Sequence, residues 1–241
     1  SEMCIRDRSD AVRDDMRRCM PAWPAARIQT LYNRIDVQAM QALQVSADEA
    51  RDALGLSPDE WVVGNVGRLH PDKDQATLLK GFALALPHLP AQSRLAILGT
   101  GRLEQDLKSL ARELCIAEQV RFLGQVPDAR RYFRAFDVFA LSSDHEPFGM
   151  VLLEAMAAGV PLLATSCGGA KEVVEGVGIL FPFGDAEHLG QGLRHLAAMG
   201  RQQHQQCAEM MLERLHQRFS DQAVRDTFWQ LPAVTELTAR A

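Results

Sequence analysis

The chain is expected to fold as an α/β protein on a doubly wound parallel sheet, with a helical extension at its C-terminus. From residue 61 onward, short apolar runs rich in β-branched residues alternate with longer helical patterns, the rhythm of successive βαβ units. Its 241 residues include 47% apolar side chains, enough for the core of one large domain. No internal repeat and no low-complexity linker divides it.

Strands are predicted at 61–66, 94–98, 120–123, 138–141, 161–164 and 178–181, with helices at 75–86, 103–114, 128–136, 150–158 and 186–198 between them. Ahead of this block, 28–36 predicts a strand and turn. Ser46 with Glu49 forms a capping box that opens a short helix ending near Gly55. After the block, 202–219 reads as helical, and Ser220 as the N-cap of a last helix whose Val224, Phe228 and Leu231 repeat at helical spacing. Residues 1–9 begin with Ser1 and have neither the apolar region nor the small-residue cleavage site of a signal peptide. The string Met-Cys-Ile-Arg-Asp-Arg at 3–8 resembles the in-frame translation of a transposon-type sequencing adapter. Residues 1–9 are therefore set aside as a non-native stretch.

Composition excludes several classes. With 26 basic and 31 acidic residues the formal charge is −5, which provides no footprint for nucleic acid. No apolar run is long enough to span a membrane: the richest, 150–164, is broken by Glu154, Gly159 and Pro161. Five cysteines, far apart and without a CxxC pair, fit buried or incidental thiols in a reducing cytoplasm rather than a disulfide framework or a zinc site.

In an open parallel sheet a ligand sits at the carboxyl ends of the strands, so the loops there hold the candidates. After the first strand, Gly64 and Gly67 permit close backbone approach, while Arg68 and Lys73 supply two cations suited to a diphosphate. After the second, Gly99-Thr-Gly101 turns into a helix without completing a GxGxxG fingerprint, and no P-loop exists anywhere. After the fourth, Glu146-Pro-Phe148-Gly149 leads into a helix whose first N–H groups and dipole form an anion site. Glu154 follows ~8 Å further along that helix, among apolar neighbours where a carboxylate needs hydrogen-bond partners such as sugar hydroxyls. His70 and His145 are weaker candidates; of the two, His145 is favoured for its place beside Glu146.

The Glu146 and Glu154 pair around Pro-Phe-Gly resembles the E-x7-E signature of retaining GT-B glycosyltransferases, chiefly glycosyltransferase family 4. Gly67-Arg68-Leu69 with Lys73, Gly99-Thr-Gly101, Phe122-Leu-Gly124 and Gly168-Gly169 with Glu172 fall in the family's order, so the resemblance covers roughly 28–200. It implies a Rossmann-like, donor-binding C-terminal domain at 37–200, preceded at 10–36 by the tail of an acceptor domain and followed at 201–241 by helices. By the same resemblance Arg68 and Lys73 neutralise the donor diphosphate, Gly149, Met150 and Val151 bind it through backbone N–H groups, and Glu146 reaches the transferred sugar. Glu154 accepts from the ribose, Leu123 in the loop 122–125 flanks the base, and Gly67, Gly99, Gly101, His145 and Phe148 complete the donor site. The sequence departs from the family's pattern at Pro147, where many members carry glycine, and, more largely, in that only the second of the family's two Rossmann-like domains is expected in it.

The implied activity is transfer of a hexosyl group from a nucleotide-diphosphate sugar, such as a UDP-hexose, to a glycan or glycolipid acceptor with retention, in bacterial cell-envelope polysaccharide or lipopolysaccharide synthesis. Neither cofactor nor metal is expected, and the site is expected in the cytoplasm, with peripheral membrane contact through the acceptor domain. The donor half alone is expected to be inactive. The alternative is a non-catalytic nucleotide-sugar-binding module that needs a partner domain; a GT-B epimerase or phosphorylase is disfavoured by the intact glutamate pair.

Overall fold

The computed structural model describes residues 5–232 and 234–235; Ser1 to Cys4 of the stretch set aside as foreign, and 233 and 236–241 of the C-terminal helices, lie outside them. The main sheet has six parallel strands: β3 (Trp61–Val66), β4 (Ser93–Leu98), β5 (Val120–Gly124), β6 (Val138–Leu141), β7 (Leu162–Thr165) and β8 (Ile179–Phe181). Their spatial order is β5-β4-β3-β6-β7-β8, so the chain winds outward from β3 in one direction and then, from β6, in the other. That reversal between β3 and β6 is where the crossover helices diverge and a crevice opens at the strand ends.

Strand alternation divides the core in two. Val62, Ala96, Leu98, Phe139, Leu141, Leu162 and Ala164 face one layer. Their neighbours Val63, Leu95, Ile97, Val138, Ala140, Leu163 and Phe181 face the other. Burial on both faces is why these strands read as continuous apolar runs rather than as alternating ones. The first layer is covered by α2 (Val37–Leu43), α3 (Ala47–Ala53), α6 (Met150–Ala158) and α7 (Gly168–Val174), with α9 (Arg201–Arg214) behind them. The second is covered by α4 (Gln75–Ala85), α5 (Glu104–Glu113) and α8 (Ala186–Ala197). Gly64 proves to be a packing position: the Phe136 ring occupies the space a Cβ would take, 2.2 Å from it.

The six predicted strands and four of the five predicted helices form, with ends shifted by a residue or two. The fifth, 128–136, is instead a 3-10 helix over Ala129–Ala135, entered through Asp128 in the left-handed region at φ 48°. The Ser46 and Glu49 capping box closes as expected, and Ser220 caps α10 (Asp221–Gln230) by accepting from the Ala223 amide. Between α9 and α10 a π-turn, Leu215–Phe219, bends the chain. Three regions that the sequence left unassigned are regular: α2, α7, and the stretch of β1 (Ile5–Asp7) and α1 (Asp10–Cys19). The last completes a βαβ unit with the predicted strand at 28–36, seen as β2 (Ile28–Thr30), which pairs with β1 in parallel. Glu172 on α7 anchors that unit, its carboxylate accepting the Asp10 and Ala11 amides at the N-terminus of α1 at 2.9 and 2.8 Å. Among the described residues no helix is long and apolar enough to cross a membrane.

Candidate donor site at the strand-order reversal

The β3–α4 and β6–α6 loops are stitched together across the reversal. After β3, Pro71–Lys73 forms a 3-10 turn and Asp74, at φ 41°, caps α4 through the Thr77 amide. This fixes Lys73 at the crevice. Its ammonium meets Glu146 Oε2 at 2.7 Å, and its carbonyl accepts from Ser142 Oγ at 2.9 Å. The Asp144 amide donates to the Asp72 carbonyl at 3.0 Å. The charged pair is well covered, with side chains 18% and 12% exposed.

Glu146 is held from a second side by α7. The Gly169 amide donates to the Glu146 carbonyl at 2.8 Å. A Cβ on Gly168 would lie 2.5 Å from that same carbonyl oxygen, and one on Gly169 2.6 Å from Phe148 Cα, so only glycine allows α7 to approach this closely. Gly149, at φ 90°, starts α6 with no side-chain cap, which leaves the Met150 and Val151 amides free to bind an anion. One turn on, half-buried Glu154 makes no hydrogen bond or ion pair among the described residues. Burial raises its pKa above the ordinary 4.5, opposed in part by the field of Arg130. A carboxylate kept ionised here at neutral pH is an acceptor without donors.

A cleft of about 320 Å³ opens over the ends of β3 and β4, lined by Gly67, Arg68, Gly99, Thr100, Gln125 and Val126 among others. Gly67 faces open space, with nothing within 4 Å of a Cβ placed there, whereas Gly99 and Gly101 do not. A Cβ at Gly99 would stand 1.9 Å from the Gly67 carbonyl oxygen, and one at Gly101 2.3 Å from that of Leu69. Both glycines therefore serve the approach of one loop to another. Arg68 is exposed, 3.5 Å from Asp72. A larger cavity, about 590 Å³ between residues 31–34 and α10, is lined mainly by apolar and cationic side chains and has no carboxylate pair.

The remaining sequence candidates have the following surroundings. Phe148 is buried, its ring 6.0 Å from Tyr32 and 5.6 Å from Phe219, so only its backbone borders the site. Leu123 packs against the core. His70 is bound through Nδ1 to Asp72, while His145 is exposed beside Glu146. Sequence reasoning gave no role to Asp72, Ser142, Gly168 or Gly169, although the polar run 142–146 and the glycine pair mark the loops in which they lie.

The family model described as glycosyl transferases group 1 matches residues 46–210. The chain belongs to the glycosyl transferases group 1 family. Among relatives of this group 1 chain is the lipopolysaccharide core biosynthesis glycosyltransferase LpsE of Rhizobium meliloti, 34% identical over 191 residues, which are 78% of this chain and 54% of LpsE. The fold matches that of Anabaena Alr3699/HepE, solved in complex with UDP-glucose, with a TM-score of 0.79, 27% identity, and coverage of 95% of this chain and 64% of HepE. It also matches WaaG, a glycosyltransferase involved in lipopolysaccharide biosynthesis, with a TM-score of 0.78 at 22% identity over 94% of this chain and 62% of WaaG. The group 1 chain thus spans roughly half to two thirds of these proteins' lengths. Its six-stranded α/β fold is the Rossmann-like C-terminal half of a GT-B fold expected from the sequence.

Proposed function

We propose that this chain is the nucleotide-sugar donor half of a retaining glycosyltransferase, acting in bacterial envelope polysaccharide or lipopolysaccharide synthesis. The reading rests on the covered Lys73–Glu146 pair beside an uncapped helix start, with the unpartnered Glu154 one turn further on. Likeness to LpsE supports the pathway, and the UDP-glucose complex of HepE supports a UDP-sugar donor.

In this reading the departing diphosphate meets the ammonium of Lys73, the guanidinium of exposed Arg68 and the N–H groups of Met150 and Val151. Catalysis then lies in stabilising the negative charge that develops on phosphate oxygen as the glycosidic bond breaks. Those cations and dipoles need no divalent ion, and binding in chelator is the expected result. Glu146, pinned by Lys73 and Gly169, presents its second carboxylate oxygen to hydroxyls of the transferred sugar. It accepts hydrogen bonds without becoming a covalent nucleophile, and a front-face path through an oxocarbenium-like state accounts for retention. The acceptor, a glycan or glycolipid, belongs to a further domain, which would also provide any contact with the cytoplasmic membrane face.

Glu154 accepts from the ribose hydroxyls, so Glu154→Ala is expected to weaken UDP binding by about 1.5–3 kcal/mol, the scale of a hydrogen bond to a charged group. Calorimetric titration checks this, and an unchanged affinity would remove the role. The same carboxylate predicts a pH dependence. Its pKa in the free protein lies above 4.5, and the ligand favours its ionised form, so affinity is present above the raised pKa and lost as pH falls through it. Wild-type UDP affinity should begin to fall at a higher pH than an ordinary glutamate would dictate, and this component should vanish in Glu154→Gln. Coincident profiles for the two proteins would contradict the assignment.

A further inference from the structure

We propose that Tyr32 is a positioning residue for Glu146, acting through the ring of Phe148. Phe148 lies two residues after Glu146 and directly before Gly149, so its ring fixes the loop that carries the carboxylate and starts α6. On one side the Phe148 backbone is pressed onto Gly169, where no Cβ fits. On the other its ring is held by Tyr32 at 6.0 Å and, edge-on, by Phe219 at 5.6 Å, while Tyr32 and Phe219 meet edge to face at 5.4 Å.

The two outer rings come from two separate chain passes that are bound to each other. The Ile35 amide donates to the Phe219 carbonyl at 2.8 Å, and Ile35 pairs with Ser220 just after the π-turn. Tyr32 is itself held in place. Its hydroxyl donates to Asp10 at 3.1 Å and accepts from Arg218 at 2.9 Å, and the Arg218 guanidinium lies 5.1 Å from its ring. Asp10 belongs to the first turn of α1, whose amides are capped by Glu172 of α7. The same α7 carries Gly169, which grips Glu146. The loop thus sits within a closed circuit of contacts: Glu146 to α7, α7 to α1, α1 to Tyr32, and Tyr32 through Phe148 back to Glu146. Opening it at Tyr32 frees the loop while the sheet stays intact, because Tyr32 is only partly buried and contributes no strand.

The role rests on the donor-site reading of Glu146, and the test separates the two. Amide hydrogen exchange on this chain without ligand is compared for wild type, Tyr32→Leu and Tyr32→Phe. The reporters are the Gly169 amide, bonded to Glu146, and the Leu152 amide, bonded to Gly149; the controls are the Gly67 and Gly99 amides, bonded between the β3, β4 and β5 ends. Tyr32→Leu should speed exchange about tenfold at the reporters with the controls unchanged, and Tyr32→Phe, which keeps the ring on Phe148 but gives up the hydroxyl bond to Asp10, should fall between Tyr32→Leu and wild type. Reporters unchanged in Tyr32→Leu, or reporters and controls accelerated alike, would overturn the proposal. Titrations with UDP and UDP-glucose add the functional arm. Tyr32→Leu should lose at least about threefold of the preference for UDP-glucose over UDP, with UDP affinity retained. An unchanged preference contradicts positioning, whereas a wild type that binds neither ligand contradicts the proposed function and leaves the exchange result to decide the coupling.

Discussion

Lys73→Met is expected to destabilise the chain by about 3 kcal/mol and to abolish measurable donor binding, the largest combined effect of any single substitution at the site. The stability loss follows from burial. Lys73 Nζ and Glu146 Oε2 stand 2.7 Å apart with both side chains mostly covered, so removing the ammonium leaves a largely dehydrated carboxylate without its partner. The pair retains some water contact, which keeps the estimate at the lower end of the range for breaking a buried ion pair. Binding suffers because the same ammonium is held on Glu146, in the loop that leads into the uncapped start of α6. The double variant Lys73→Met with Glu146→Gln separates the two effects. It should recover much of the stability, since no uncompensated charge remains, yet still fail to bind UDP. Urea unfolding and calorimetry on the three proteins check both statements, and a Lys73→Met protein of wild-type stability would show that the pair is not buried as described.

Gly99→Ala is expected to cost about 3–5 kcal/mol, combining a left-handed backbone with a collision that cannot relax. The residue sits at φ 136°, and an added Cβ would stand 1.9 Å from the Gly67 carbonyl oxygen, a backbone atom that is itself held by the bond from the Gly67 amide to Leu98. Gly67→Ala is the informative contrast. Its Cβ would enter open space beside the 320 Å³ cleft, so folding should be nearly unaffected while donor affinity falls. Thermal melts and UDP titrations of both variants test the assignment of one glycine to the fold and the other to the ligand. Equal melting temperatures for the two would contradict it.

The two glycines also show where sequence reading reaches its limit. A glycine after a strand announces a close approach, but Gly67 and Gly99 look alike until the partner is known, and the partner of Gly99 is another loop more than thirty residues away in sequence. The strands were legible because runs such as 138–141 are apolar throughout, as burial on both faces demands. Helix α7 was not, since a seven-residue helix that begins Gly-Gly has weak local propensity and exists through its contact with the Glu146 loop. The stretch 128–136 has the right spacing for an α-helix, yet the left-handed Asp128 winds its entry into 3-10 geometry. Of the site, Lys73, Glu146, Gly149 and Glu154 were readable as residue types at a strand-to-helix turn, and the resemblance to a known family supplied their roles. The stitches made by Ser142, Asp144 and Asp72 are side-chain and backbone contacts across some seventy residues, and no local pattern encodes them.

The central claim is that Lys73, Glu154 and the start of α6 form a metal-independent site for the nucleoside diphosphate of a sugar donor. Its most direct test is a calorimetric titration of this chain with UDP in the presence of chelator, with GDP and ADP as comparators and Glu154→Ala and Lys73→Met as controls. The account predicts saturable one-to-one binding of UDP that both substitutions weaken by at least about tenfold. Binding that both variants retain at wild-type strength, or no binding of any of the three nucleotides, would contradict it.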